Sequence, residues 1–266
     1  MSKGINVTLT AVLVAGLLGV LMTSMPVSAQ TWDPTLGWDF ECHSHTHPHF
    51  GQLTDTQIAW ELEQVNAAFQ SHGYAVPRHL AYPYGDYGKN ARGQARIKAV
   101  VSQYRDSGRV VWGDMMSYPV TDWYVTKAAQ LKSSTSWKTI KGWVDKSIAT
   151  NSLLNIFTHE VTAKPSSYGC TPQMLAQLLD YLVQQQNAGK LTVMTMAQAY
   201  DYWSTATAGK ATVVVSFDDA YNTDYTAVYP LFKARGLKGT SYVVTSFIGQ
   251  PDQLTWDQIA QMRAGA

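Results

Sequence analysis

After residue 30 the chain alternates short β-type runs with amphipathic helices, and this alternation is the feature that most constrains its fold. The β-type runs are too short for helices, and most are rich in branched or aromatic residues. Seven such runs cover residues 38–43, 79–83, 109–112, 153–158, 191–194, 212–217 and 240–245. Strands that alternate with helices form right-handed βαβ units and a parallel sheet. Seven in series predict an α/β protein with an irregular seven-stranded (β/α) barrel.

The intervening helices have recognisable ends. Thr54 and Gln57 form a capping box ahead of an apolar stripe, and Gly73 follows the end of that helix. Thr171, followed by proline, begins a second helix, and Thr255 caps the last one.

The first segment has the three parts of a secretory signal peptide. Lys3 is its only charged residue, an apolar run covers residues 11–22, and small residues at 26–29 offer a cleavage site. A membrane anchor is the alternative, but the apolar run is short for a span of about 20 residues. We therefore predict a signal peptide over residues 1–29 and a secreted or extracytoplasmic domain over residues 30–266, with no stable membrane anchor after cleavage.

The charge balance argues against a nucleic-acid partner. The formal net charge is +1, and the sequence has no basic run of the kind that binds phosphates. The predicted partners therefore do not include nucleic acid.

Two cysteines, Cys42 and Cys170, occur in a chain predicted to reach an oxidising compartment. They could pair, and Cys42 could bind a metal because it adjoins several histidines. The interpretation we favour is that each is a small buried residue on a strand.

The densest chemical signal is a histidine cluster, which holds four of the seven histidines of the chain within residues 42–50. Imidazole is the commonest metal ligand in proteins. A fortuitous surface tract is the alternative, but the cluster directly follows a predicted strand, where barrel proteins place their site residues. The cluster therefore predicts metal binding.

Adjacent aspartates, Asp218 and Asp219, end the apolar run 213–217. Two adjacent buried carboxylates are unfavourable, because they repel each other and lose hydration. Their presence therefore indicates a partner or a function that compensates for this cost. One could neutralise a divalent cation while the other takes a proton from water. A helix N-cap pair is the other interpretation of these residues.

Two further elements are weaker signals by themselves. His159 stands at the end of an apolar strand, where a histidine is more often structural than catalytic. The segment Tyr82-Pro83-Tyr84-Gly85 runs from a strand into a tight turn whose backbone N–H groups could face a ligand.

Together these elements resemble one family, the polysaccharide deacetylases with the NodB-type domain. His43-Ser44-His45-Thr46-His47-Pro48 is similar to the H-[S/T]-x-x-H signature, and Ser216-Phe217-Asp218-Asp219 to the T-F-D-D segment. Pro83-Tyr84-Gly85 resembles the P-Y-G turn, and the strand before His159 resembles the late L-x-H segment. The resemblance extends over the chain that follows residue 30.

The resemblance implies a role for each matching residue. A divalent metal, Zn²⁺ first with Co²⁺ or Ni²⁺ as alternatives, would be held by Asp219, His43 and His47. Asp218 would be the base that activates water, and His159 the acid that protonates the leaving group. The backbone N–H of Tyr84 would bind the substrate oxyanion.

The histidine register has an alternative, because residues 45–49 also fit H-T-x-x-H. The family places proline directly after the second ligand, and this favours His43 and His47.

Three positions depart from the family pattern. Ala81 stands where many members carry an arginine that orients the base, and Ala220 stands where glycine is frequent. The D-x-x-D-W-like segment is reduced to Asp122 and Trp123, so the resemblance does not identify an arginine–aspartate pair that supports the base.

The order of the motifs also departs, because the Asp-Asp strand comes last here and first in the family. We predict a circular permutation in which strand 240–245 neighbours strand 38–43 and the last helix leads into that strand. Close termini let such a rearrangement preserve a fold. The alternative is a piece of a tandem protein that ends within a second copy.

The resemblance implies a hydrolase acting on non-peptide amide bonds, which removes N-acetyl or O-acetyl groups from a polysaccharide, and the predicted signal peptide makes it a secreted one. A catalytically inactive glycan-binding barrel and an extracellular metal-binding protein are the alternatives. The sequence does not select among chitin oligomers, peptidoglycan, poly-N-acetylglucosamine and acetylxylan.

Overall fold

The structure, a computed structural model, describes Met1 and residues 38–113, 115–205 and 209–265. Residues 2–29 of the predicted signal peptide lie outside the described residues. Within the described ranges, no helix has both the length and the apolar character that a membrane span requires.

The described residues form nine strands and seven α-helices. The strands are β1 (Asp39–Cys42), β2 (His79–Ala81), β3 (Ser107–Arg109), β4 (Met115–Met116), β5 (Ala129–Gln130), β6 (Leu153–Thr158), β7 (Leu191–Val193), β8 (Ala211–Asp218) and β9 (Thr240–Val243). The helices are α1 (Asp55–Ser71), α2 (Ala91–Val101), α3 (Trp137–Thr150), α4 (Pro172–Asn187), α5 (Met196–Trp203), α6 (Tyr229–Lys233) and α7 (Trp256–Ala264).

The helix ends follow the local sequence. Capping boxes begin α1 at Thr54 and α7 at Thr255, and the Thr171 side chain caps α4 ahead of its proline. Gly73, beyond the end of α1, has a φ of 76°, the left-handed conformation that favours glycine. The predicted caps are confirmed.

The strands form a single sheet in the order β3-β2-β1-β9-β8-β6-β4, with β5 beside β6 and β7 beside β8. All pairs are parallel except β4 with β6. The predicted α/β class with a parallel sheet is therefore confirmed.

The sheet curls because its two ends approach each other through residues 126–130. Thr126 forms a parallel bridge to Arg109, at the end of β3, and β5 pairs with β6. The parallel strands thus curl into an irregular (β/α) barrel, as predicted. The prediction of seven strands was incomplete, because β4 and β5 have only two residues each. It also placed the third strand at 109–112, whereas β3 is Ser107–Arg109.

The strands from the two ends of the chain lie side by side. β9 pairs with β1 from Asp39↔Thr240 to Cys42↔Val243, and β8 pairs with β9 on the other side. The backbone N–H of Trp38 donates to the Met262 carbonyl at 3.3 Å, so α7 ends beside the start of β1. This is the neighbour relation that the permuted order predicts. Gly37 and Ala266 lie outside the described residues.

The two faces of β1 enter different environments. Trp38, Phe40 and Cys42 belong to the apolar core shared with the helices, and Trp38 packs edge-on against Phe232 at 5.1 Å between ring centroids. Alternate residues of a strand face opposite sides. Asp39 and Glu41 therefore point away from that core, and the same face leads directly to His43.

Candidate active site

The predicted site residues follow the carboxyl ends of four parallel strands. His43 comes directly after β1, Tyr84 lies two residues into the turn after β2, and His159 follows β6. Asp218 ends β8 and Asp219 follows it. Because these strands are parallel, their carboxyl ends lie on one rim of the barrel.

His43, His47 and Asp219 converge at this rim. The Nε2 atoms of both histidines lie 3.4 Å from Asp219 Oδ1 and 3.2 Å from each other. Ligands placed 2.0–2.2 Å from a tetrahedral zinc ion lie roughly 3.3–3.6 Å apart. Asp219 Oδ1 is also buried and accepts no hydrogen bond from the described residues. The three groups therefore fit a divalent cation of the size of zinc.

Hydrogen bonding and burial prepare the histidines as ligands. His43 Nδ1 lies 2.7 Å from the Ala81 carbonyl, which can only accept, so Nδ1 carries the proton and Nε2 keeps its lone pair. Burial lowers the pKa of His43 to about 3 and that of His47 to about 4. Both rings are neutral at neutral pH, the form that binds a metal.

The backbone at this rim is strained. Ser44 and His47 have φ of 69° and 62°, and Asp219 and Ala220 have φ of 73° and 57°. Left-handed conformations are uncommon for residues other than glycine, and they cluster at functional sites. The conformation of Ala220 gives a physical reason for glycine at that position in the family.

Asp218 is held by an arginine that the sequence interpretation missed. Nη2 of Arg109 lies 2.6 Å from both carboxylate oxygens, and the two side chains are 1% and 2% exposed. The guanidinium also lies over the rings of Phe157 and Tyr242, 4.4 and 4.9 Å from their centroids. Arg109 thus supplies the support that Ala81 cannot.

The charge of Asp218 follows from this pairing. Burial acts to raise the pKa of its carboxyl group, but Arg109, followed by His43 and His159, outweighs burial and lowers the pKa below its ordinary value. Asp218 is therefore an anionic carboxylate although it is buried. Burial raises the pKa of the neighbouring Asp219 to about 6.

His159 and Tyr84 complete the rim. His159 Nε2 lies 3.8 Å from Asp219 Oδ2, and its ring lies 5.6 Å from that of Tyr168. Tyr84 has a φ of 58°, its side chain is 55% exposed, and its ring meets that of His47 edge-on at 4.6 Å. Both residues line a cavity of about 470 Å³ together with the two aspartates, His43 and His47.

The remaining histidines of the cluster serve other contacts. His45 Nδ1 lies 2.8 Å from Thr245 Oγ1, and His49 Nδ1 lies 3.2 Å from Asp86 Oδ2. The alternative register, in which His45 and His49 would be ligands, therefore does not bring two imidazoles to Asp219.

Two other sequence signals lie away from the site chemistry. Asp122 accepts a hydrogen bond from Lys98 Nζ at 2.7 Å and caps the turn at Tyr124, so its role is structural. Cys42 and Cys170 are buried free thiols. Cys42 ends β1, as the favoured interpretation predicts, whereas Cys170 lies outside the nine strands and makes an isolated bridge to Val161.

The fold and the rim define a (β/α)-barrel protein with a His-His-Asp cluster next to an aspartate paired with arginine. Residues 30–100 and 205–265 match the family described as Polysaccharide deacetylase. These segments contain the histidine cluster and the Asp-Asp strand. Through these two segments, which make up just under half of its length, the chain is similar to the polysaccharide deacetylase family. Among curated proteins, none matches the chain.

Three solved structures are similar to parts of the chain. IcaB from Ammonifex degensii is 28% identical, with 42% of this chain and 48% of that chain covered and a TM-score of 0.38. A de-N-acetylase from Aggregatibacter actinomycetemcomitans is 21% identical, with 41% and 50% covered and a TM-score of 0.35. The Streptococcus pyogenes deacetylase PplD in complex with acetate is 22% identical, with 41% and 50% covered and a TM-score of 0.33. The aligned part of this chain spans about half the length of each of these structures.

Proposed function

We propose that the protein is a secreted, metal-dependent deacetylase that hydrolyses N-acetyl, or O-acetyl, groups of a polysaccharide. One observation carries the proposal: two neutral imidazoles and a carboxylate oxygen meet within 3.4 Å beside an anionic aspartate that is held by arginine. Hydrolysis of an unactivated amide needs activated water and a stabilised oxyanion, and these groups can supply both. The match of residues 30–100 and 205–265 to the polysaccharide deacetylase family supports the substrate class.

Asp219, His43 and His47 would hold the cation, with zinc as the first choice because two nitrogen ligands and one oxygen ligand suit it. A bound divalent cation lowers the pKa of water and polarises an acyl carbonyl. The protein's own contribution is to hold the three ligand atoms close together before any cation binds. Three protein ligands also leave room for a further ligand, which is typical of catalytic rather than structural zinc sites.

Asp218 is assigned as the general base. Its carboxylate stays anionic because Arg109 lowers its pKa, and the same contact fixes its orientation next to the ligand cluster. A base of this kind takes a proton from water as the water attacks the acyl carbon.

His159 is assigned as the general acid and Tyr84 as an oxyanion donor. The His159 ring lines the same cavity as Asp218, so it can give a proton to the leaving amine or alcohol. Tyr84 has a left-handed backbone conformation and lines the same cavity, and its backbone N–H is assigned to stabilise the developing negative charge.

Acetate release tests the proposal. The purified protein is incubated with chitin oligomers, peptidoglycan, poly-N-acetylglucosamine and acetylxylan, with and without a chelator, and zinc is then added back. We expect acetate from at least one N-acetylated glycan, loss of activity with chelator, and recovery with zinc. Glycan binding without acetate release would indicate an inactive binding barrel. Activity that survives complete metal removal would refute the proposed role of the cation.

The secretion proposal has a separate test. Expression with the native leader and sequencing of the exported protein should give an N-terminus directly after Ala29. Retention of residues 1–29 on an exported, membrane-bound protein would favour an anchor instead.

A further inference from the structure

The loop of residues 43–47, here the ligand loop, carries both histidines of the cluster. Ser44 and His47 adopt left-handed conformations within it, with φ of 69° and 62°. Such conformations cost free energy for residues other than glycine and persist only when surrounding contacts hold them. The ligand loop therefore needs contacts that fix its shape.

Glu61 of α1 makes the densest set of side-chain contacts to this loop. Its Oε2 accepts hydrogen bonds at 2.8 Å from the backbone N–H groups of His45 and Thr46. Its Oε1 accepts the hydroxyl of Thr46 at 2.5 Å. The Glu61 side chain is 4% exposed, and its helix packs into the apolar core through Ile58, Leu62 and Val65. The carboxylate is thus fixed to a rigid element.

These contacts lie between the two cluster histidines in sequence, on the residues that set their separation. The opposite support comes from the segment after β9, where Thr245 and Ser246 donate backbone hydrogen bonds to the carbonyls of Ser44 and His45 at 3.3 and 3.0 Å. The ligand loop is therefore fastened both to α1 and to the strand next to β1.

We propose that Glu61 is a positioning residue that holds the ligand loop in the conformation that brings His43 and His47 to one cation. The inference rests on the proposed function, and it assigns no contact between Glu61 and substrate or metal. A carboxylate suits this position, because both of its oxygens accept hydrogen bonds and its charge strengthens them. A glutamine can keep the two N–H contacts through its amide oxygen, but its NH₂ group must then donate to the Thr46 hydroxyl, and the charge that strengthens all three hydrogen bonds is lost.

The test compares Glu61→Gln with Glu63→Gln in the full chain. Glu63 lies on the same helix, accepts a hydrogen bond from Tyr104 and is exposed, so it is a matched control. Zinc affinity is measured by competition with a chromophoric chelator, and thermal unfolding of the metal-free protein is followed in parallel. Glu61→Gln should weaken zinc binding by about 10–100-fold, the usual effect of losing a group that orients ligands. Glu63→Gln should bind zinc as the wild type does.

Thr46 separates positioning from general stability. Thr46→Ala removes one of the three donors and should weaken zinc binding less than Glu61→Gln does, whereas Thr46→Ser, which keeps the hydroxyl, should retain wild-type affinity. Thr46→Ala should reduce zinc affinity by a smaller factor in the Glu61→Gln variant than in the wild type, because the two residues share one hydrogen bond. If Glu61→Gln does not fold, the zinc affinities of Thr46→Ala and Thr46→Ser still test whether the hydrogen bond from Thr46 to Glu61 positions the ligand loop.

The outcomes distinguish this inference from the proposed function. Wild-type protein that fails to bind zinc would overturn both. Wild-type binding with unchanged affinity in Glu61→Gln, or a Thr46→Ala variant indistinguishable from wild type, would overturn the role of Glu61 alone.

Discussion

The barrel holds buried acidic residues and histidine at both ends of its strands, and the two clusters behave differently. At the amino ends, Glu41 accepts the backbone N–H of His79 at 2.7 Å, and Asp39 accepts the Thr240 hydroxyl at 3.1 Å. At the carboxyl ends, two imidazole nitrogens and an otherwise unpaired carboxylate oxygen of Asp219 face one another beside an open cavity.

The charge states of the two clusters differ for a physical reason. At the amino ends, burial raises the pKa of Asp39 and raises that of Glu41 well above its ordinary value. At the carboxyl ends, Arg109 keeps Asp218 anionic against the same effect of burial. Buried acids next to a histidine are therefore not enough for a site. Convergence of three ligand atoms, a retained charge and access to solvent distinguish the rim from the interior.

The two aspartates of the rim should respond differently to substitution by asparagine, with the largest change in rate or metal content of any variant considered. Asp218→Asn should keep bound zinc but lose about 10²–10⁴-fold in deacetylation rate, the usual contribution of a general base. Asp219→Asn should lose zinc itself. Metal content by elemental analysis and acetate release are measured on both variants, and equal metal loss in the two would show that the roles are assigned wrongly.

The next effect concerns the pair that keeps the rim charged. Arg109→Met leaves the Asp218 charge buried without its partner and should lower the free energy of unfolding by about 3–5 kcal/mol. Arg78→Met removes a partly exposed arginine that pairs with Asp106 and Asp201, and should cost no more than about 1 kcal/mol. Urea unfolding of both variants checks this. Equal decreases in unfolding free energy would mean that the Arg109–Asp218 pair stabilises the protein no more than an exposed ion pair does.

The smallest effect tests the neutral interior. Burial raises the folded-state pKa of Glu41 well above its ordinary value of 4.5. Just above pH 4.5 the Glu41 carboxyl group therefore ionises in the unfolded chain but stays protonated in the folded protein. The wild type therefore loses stability from this group as pH rises through and above 4.5. Glu41→Gln removes that loss, so its unfolding free energy should improve relative to wild type as pH increases, while deacetylase activity stays within a few-fold. A stability difference that is constant between acid and neutral pH would contradict a protonated Glu41.

The sequence predicted those parts of the fold that are written in local patterns. β1, β6, β8 and β9 were found from runs of branched and aromatic residues, and the capping boxes located the helix starts. β4 and β5 were missed because two residues carry no period, and β3 was displaced because Ser107 and Gly108 lack β-type side chains.

The local motifs of the site were predictable from the sequence, but its long-range contacts were not. The histidine cluster and the Asp-Asp pair are visible in the sequence, and the resemblance assigned them to one cation. The Arg109–Asp218 pair joins residues that are 109 positions apart in the sequence, and no local pattern predicts their contact. A lone arginine at the start of an apolar run, Arg109 before Val110 and Val111, was the available signal.

In the proposed site, one cation joins two histidines from the first fifth of the sequence and an aspartate from its last fifth. A crystal structure of the zinc-loaded protein, with anomalous scattering recorded at the zinc edge, tests it most directly. We expect one strong peak within roughly 2.0–2.2 Å of His43 Nε2, His47 Nε2 and an oxygen of Asp219. A peak at His45 or His49, or zinc bound to the histidines with Asp219 turned away, would contradict it.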